Sequence, residues 1–160
     1  MYIPPKLFLS LLIVFLLPSL ALSWSGEVMK IHDGDTITVS GTKVRLWGID
    51  CPEYKQLYGR DATEFVRRLL PIGATVEVDD IARDRYGRTV AIVSYQGDTV
   101  QAALLRGGLA WVYGRYYRER GGNWPEIEAE AKAARRGLWK DEEPTPPWEW
   151  RRGKKQERGR

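Results

Sequence analysis

Asp33, Asp35, Asp50 and Glu53 lie between Ile31 and Glu53, together with Arg45. The stretch reads Ile-His-Asp-Gly-Asp-Thr-Ile-Thr-Val, then a Gly-Thr turn, then Lys-Val-Arg-Leu-Trp-Gly-Ile-Asp-Cys-Pro-Glu. Two alternating segments joined by a short turn fold as a hairpin, which brings the acids together. Two unit charges at ~4 Å repel by roughly 4 kcal/mol at an effective dielectric of about 20, so such a cluster calls for a hard cation. The chain has one histidine and one cysteine, too few for a zinc site of His/Cys type. Carboxylates with backbone carbonyls suit Ca²⁺ or Mg²⁺. Taken alone, Asp33-Gly34-Asp35 is also the sequence of an ordinary turn.

Arg45 projects from a strand near these acids, and Arg88 follows a tight turn that begins at Asp84. A planar guanidinium grips two phosphate oxygens at once. Two of them on one phosphate would stabilise a pentacoordinate transition state. Either arginine alone is equally a surface charge. No Ser-His-Asp or Cys-His set can be assembled from a lone His32 and a lone Cys51. A carboxylate is left to activate water, and Glu53 ends the hairpin.

The elements that must position these groups follow from periodicity. Gly26–Ile31, Asp35–Val39 and Lys43–Ile49 read as strands, with Val44 and Leu46 inward and Lys43, Arg45 and Trp47 outward. Pro52 stops the third. A helix with Asp61 as cap and Glu64 completing a capping box carries Phe65, Val66, Leu69 and Leu70, and Pro71 ends it. Thr75–Ile81 and Thr89–Tyr95 are two more strands around the Asp84–Arg88 turn. A short helix capped by Asp98 and a longer one from Asn123 to Arg136 close the order. Three strands, a helix, two strands and two helices predict an α+β chain: a five-stranded Greek-key barrel of the OB type with about three helices packed on it.

Residues 1–23 stand apart. Lys6 is their only charge, Leu7–Leu17 is a nearly unbroken apolar run, and Ala21-Leu22-Ser23 ends it with small residues. That layout predicts an export signal cleaved after Ser23; the alternative is an uncleaved anchor. The protein is then secreted or periplasmic, with no stable membrane association after cleavage. The domain spans 24–140. Residues 141–160 are Pro-rich and then basic, six cations against Glu157, and read as an extended or disordered tail. The net charge of +4 favours nucleic acid or anionic surfaces as partners. A lone cysteine allows no intrachain disulfide.

Asp33-Gly34-Asp35-Thr36, Val44-Arg45-Leu46, Gly48-Ile49-Asp50-Cys51-Pro52-Glu53, Asp84-Arg85-Tyr86-Gly87-Arg88 and Gly107-Gly108-Leu109-Ala110 together resemble the thermonuclease family, whose best-known member is staphylococcal nuclease. The resemblance covers about Gly26 to Trp139. It implies an OB-fold, Ca²⁺-dependent nuclease acting on DNA and RNA and leaving 3′-phosphate ends; a monomer is expected. It also implies that Asp35, Asp50 and the Cys51 backbone carbonyl ligate the metal, with Asp33 behind them. Glu53 would position or deprotonate the attacking water. Arg45 and Arg88 would grip the phosphate, Tyr86 would hydrogen-bond a substrate phosphate, and Trp111, Tyr113 or Tyr116 would offer a base-stacking face, with core packing the alternative for Trp111. The loop Tyr54–Gly59 is shorter than the mobile loop of the staphylococcal enzyme. A non-catalytic barrel that binds single strands is the rival reading.

Overall fold

The computed structural model describes residues 23–114, 117, 120 and 122–159. The expected export signal and Tyr116 lie outside the described residues, apart from Ser23. Strands β1 (Ser23–Ile31), β2 (Thr36–Val39) and β3 (Thr42–Leu46) follow one another antiparallel. Then come β4 (Ile49–Asp50), helix α1 (Gly59–Leu69), β5 (Thr75–Arg83), β6 (Thr89–Tyr95) and β7 (Asp98–Thr99). Helix α2 (Val100–Arg106), β8 (Trp111–Val112), α3 (Trp124–Ala133), a 3₁₀ turn at Gly137–Lys140 and α4 (Pro147–Arg158) complete the order.

Pairing closes a ring. β1 pairs with β2 and β5, β5 with β6, and β6 returns to β3 in parallel. The result is the expected five-stranded barrel of an α+β, OB-like fold. Its interior is filled by alternate residues of each strand, among them Val28, Ile37, Val44, Leu46, Val78 and Val93, all buried. Closure covers the edges that β3 and β6 would otherwise present.

Four expectations need correction. Trp47 is buried, not outward: β3 ends at Leu46, and the indole packs on Tyr117 and Trp124. Helix α1 starts at Gly59, so Asp61 sits in its first turn and caps nothing. The helix opens at a close crossing that only glycine allows, since a Cβ at Gly59 would lie 1.9 Å from the Glu53 carbonyl oxygen. Helix α2 is capped by Thr99, whose hydroxyl accepts from the Ala102 N–H at 3.1 Å, while Asp98 pairs with Arg106. The segment read as a disordered tail contains a fourth helix, α4.

One buried polar residue of the core joins two elements. Gln101 is fully buried in α2. Its amide donates to the Ala91 carbonyl at 3.0 Å and its carbonyl accepts from the Val93 N–H at 3.3 Å. It thereby fastens α2 to β6, the strand that closes the barrel and leads out of the Arg88 turn. Gln101→Leu orphans the Val93 N–H, at a cost of about 1–3 kcal/mol, while the Ala91 carbonyl keeps its bond from the Trp47 N–H at 2.8 Å. Urea unfolding should therefore show a loss of about 1–3 kcal/mol; an unchanged midpoint would contradict this assignment.

Candidate active site

The site is built from the mouth of the barrel. The β1–β2 turn holds Asp33 and Asp35, whose backbone N–H donates to Asp33 Oδ1 at 3.1 Å, the local bond that short acidic side chains favour in turns. Gly34 lies between them because a Cβ there would meet Ala62 and Cys51 carbon atoms at 2.8 and 2.9 Å. The turn is thus pressed against the start of α1 and against the Cys51 backbone, whose N–H donates to Asp35 Oδ2 at 2.9 Å. Asp50 comes from β4, held by pairing with Trp111 of β8.

Arg45 leaves β3 opposite Thr36 and binds both acids. Its Nη1 lies 2.8 Å from Asp35 Oδ2 and its Nη2 lies 2.9 Å from Asp50 Oδ1. Burial works against the guanidinium charge, and Asp35 and Asp50 outweigh it, so its proton is held more tightly than usual. Arg88 arrives from the β5–β6 turn. Its Nε donates to Asp84 Oδ2 at 2.6 Å, and its Nη1 reaches the Thr36 hydroxyl at 3.5 Å. That hydroxyl donates in turn to Asp35 Oδ1 at 3.1 Å. Asp84 is held below the usual carboxylate range: burial pushes the other way, and its bonds from Arg88 and Tyr86 prevail.

Asp35 and Asp50 therefore converge on Arg45, with Arg88 at their edge through Thr36, while Asp33 holds the Asp35 N–H and Glu53 pairs with Arg151. Tyr86 is 69% exposed on the Arg88 turn, its ring beneath the Arg85 and Arg88 guanidinium groups. Tyr113 lies beside β4, its N–H bonded to the Gly48 carbonyl and its ring 5.3 Å from Trp148. Trp111 is buried against Trp139 and Trp148. The Cys51 side chain is buried, and burial pushes its thiol well up. His32 is bonded to the Thr38 hydroxyl at 2.9 Å.

Two site residues were not foreseen. Arg151 of α4 lies 2.7 Å from Asp50 Oδ2 and 2.7 Å from Glu53 Oε1. Gln56 is buried in the turn after Glu53: its carbonyl accepts from the Glu53 N–H at 3.1 Å, and its amide donates to the Thr145 carbonyl at 2.6 Å. The short loop is thus a compact turn clamped to the chain that leads into α4. The signals for α4 were present: Pro147 in the first turn, Glu149 behind it and a cationic end, the order that suits a helix dipole.

The donor set is all hard oxygen, and it is short of positive charge. Burial, then repulsion from Asp35, raises Asp33 to about 6. Burial also raises Asp50, although Arg151 and Arg45 pull it down. Among the described residues, however, no three His, Cys, Asp or Glu side chains converge as a ready-made metal cage. Asp35 and Asp50 instead form a carboxylate pair, which fits a hard cation that completes its shell with water, backbone carbonyl or phosphate oxygens.

Asp33 gives this charge deficit a measurable sign. Its folded value of about 6 exceeds the unfolded 3.8. Its favourable contribution to stability is full below pH ~4 and is lost as pH rises through about 6. Asp33→Asn keeps the Oδ1 acceptor and removes the charge. In metal-free protein it should raise stability at pH 8 by an amount on the order of 2 kcal/mol, and by little at pH 4. Thermal melting against pH checks this; equal shifts at both pH values would contradict it.

Comparison with known proteins agrees with this geometry. The family model described as staphylococcal nuclease homologue matches residues 43–141. A protein of Escherichia coli O157:H7 named "Uncharacterized endonuclease" is 40% identical over 158 residues, covering 96% of this chain and 98% of that protein. The "Micrococcal nuclease" of Shigella flexneri is 38% identical over 143 residues, 81% of this chain and 82% of that protein. An "Uncharacterized endonuclease" of Haemophilus influenzae is 34% identical over 134 residues, 81% of this chain and 74% of that protein. With the closed barrel, the Asp35–Arg45–Asp50 bridge and these likenesses together, the chain belongs to the staphylococcal nuclease family of nucleic-acid-cleaving hydrolases.

Proposed function

We propose that this protein is an exported, Ca²⁺-dependent nuclease that hydrolyses DNA and RNA and leaves 3′-phosphate ends. The observation that carries the reading is the Arg45 bridge: one guanidinium at 2.8 and 2.9 Å from two buried acids, one of which, Asp50, shares Arg151 with Glu53. Asp35, Asp50 and the Cys51 carbonyl would hold the ion, with Asp33 behind them. A bound divalent cation supplies Lewis-acid polarisation of a phosphoryl oxygen and offsets the charge of the acids.

The chain's own groups do the rest. Glu53 sits at the rim, about half exposed, where water reaches it. It orients a water molecule and takes its proton as the oxygen–phosphorus bond forms. Arg45 and Arg88 present guanidinium groups to the non-bridging phosphate oxygens and stabilise the extra charge of the five-coordinate state. The bond from phosphorus to the 5′-oxygen breaks, that oxygen takes up a proton, and the phosphate stays on the 3′ side. Tyr86, exposed beside Arg88, donates its hydroxyl to a substrate phosphate. Export rests on the charge-poor apolar run at the N-terminus.

A chelator should abolish hydrolysis of plasmid and RNA, and Ca²⁺ should restore it. Glu53→Gln should lower kcat by about 10²–10⁴-fold, and Arg88→Ala should lower kcat more than it raises KM. End-group analysis should find 3′-phosphates that a phosphatase removes. Undiminished cutting by Glu53→Gln in chelator, or products with 5′-phosphates, would contradict the assignment.

A further inference from the structure

Helix α4 lies beyond residues 43–141, the part that the family model matches. It is nevertheless joined to the site through Arg151, which touches both Asp50 and Glu53. Between α4 and the turn after Glu53 is an open cleft of about 470 Å³. Tyr54 and Lys55 line one wall; Trp150, Arg151, Lys154 and Lys155 line the other, and Glu53 also borders the cleft.

A run of cations on one helix is ordinarily a solvated face. Three observations distinguish this one. The cations converge from two separate elements, Lys55 from the turn and the others from α4. Arg151, Lys154 and Lys155 share one side of the helix through their spacing of three and four, and among the described residues Glu53 is the sole carboxylate of the lining. Lys154 is paired with Glu157 at 3.0 Å; among the described residues Lys55 and Lys155 have no acidic partner. Finally, two aromatic rings stand among the cations. Tyr54 is 47% exposed, with Arg60 at 5.5 Å, and Trp150 carries Lys154 at 5.0 Å.

We infer that this cleft is a binding track for a single nucleic-acid strand, leading it past Glu53 and extending the site beyond the family domain. The inference rests on the nuclease reading of Glu53 and Asp50. Cations spaced along the cleft meet successive phosphates, and Tyr54 and Trp150 offer faces to unstacked bases, which a duplex keeps inside. Arg151 marks where the track joins the acids: it neutralises Asp50 and Glu53 in the free protein and turns to phosphate when a strand lies in the cleft.

The test is binding of a labelled twenty-nucleotide single strand in chelator, by fluorescence anisotropy from 50 to 200 mM salt. Lys154→Glu/Lys155→Glu should raise Kd at least ten-fold at 50 mM salt. It should also flatten the slope of log K against log salt by about 1.4, two contacts at about 0.7 each. Lys55→Glu, on the opposite wall, should weaken binding in the same direction, so the outcome does not hang on α4 folding. Unchanged Kd and slope in both variants would overturn the track. Faster cleavage by Lys154→Glu/Lys155→Glu would also overturn it, since α4 would then be a cover. If the wild type binds the strand but never cuts it with Ca²⁺ present, the nuclease reading fails and the track stands.

Discussion

Arg45 stands between Asp35 and Asp50, and the remainder of the site is arranged around that contact. Both acids are nearly buried. Placing two carboxylates there without a cation would be costly, since each loses hydration and each repels the other. The guanidinium answers both costs because its planar fork can serve two oxygens in fixed directions, which an ammonium cannot do. The barrel supplies the register: Arg45 lies opposite Thr36, and Thr36 follows Asp35. A slip of one residue in the β2–β3 pairing would turn Arg45 to the other face and leave the acids unmatched.

One guanidinium does not neutralise the cluster. Asp33 and Asp50 both remain harder to ionise than ordinary carboxylates, and Arg151 is drawn from α4 onto Asp50 and Glu53. The site is therefore held in a state that welcomes further positive charge, at some cost to the folded protein above pH ~6. A destabilised acid cluster on a rigid barrel is the usual compromise between stability and ligand capture. The same logic explains the clamped turn after Glu53. Gln56 ties it to Thr145, so the carboxylate that faces water is carried by a fixed backbone rather than a mobile loop.

Much of this was legible in the residues. The alternation of β2 and β3, the Asp-Gly-Asp turn and the arginine after the Asp84 turn are local patterns, and closure of the barrel followed from the order of elements. The unread parts depend on contacts between distant segments. Trp47 sits at an outward position by alternation, and it is buried because β3 stops and Trp124 comes to meet it. Gln56 and Gln101 look like surface amides until their backbone partners are known. Helix α4 is strongly polar, and a short isolated helix of that kind is marginal in water. Docking of Trp148 on Trp111 and Tyr113, and of Arg151 on the acids, holds it. Its Pro-Pro-Trp-Glu start has the composition of a disordered linker, although Pro147 and Glu149 suit a helix's first turn.

We propose that Asp35 and Asp50, aligned by Arg45, hold the divalent cation that the acid cluster calls for. Calorimetric titration of the metal-free protein with Ca²⁺ tests it most directly, without reference to turnover. The wild type should bind one ion, and Asp35→Asn and Asp50→Asn, each shown to be folded by its melting curve, should each weaken binding at least ten-fold. Unchanged Ca²⁺ affinity in the Asp35→Asn/Asp50→Asn double variant would contradict the account.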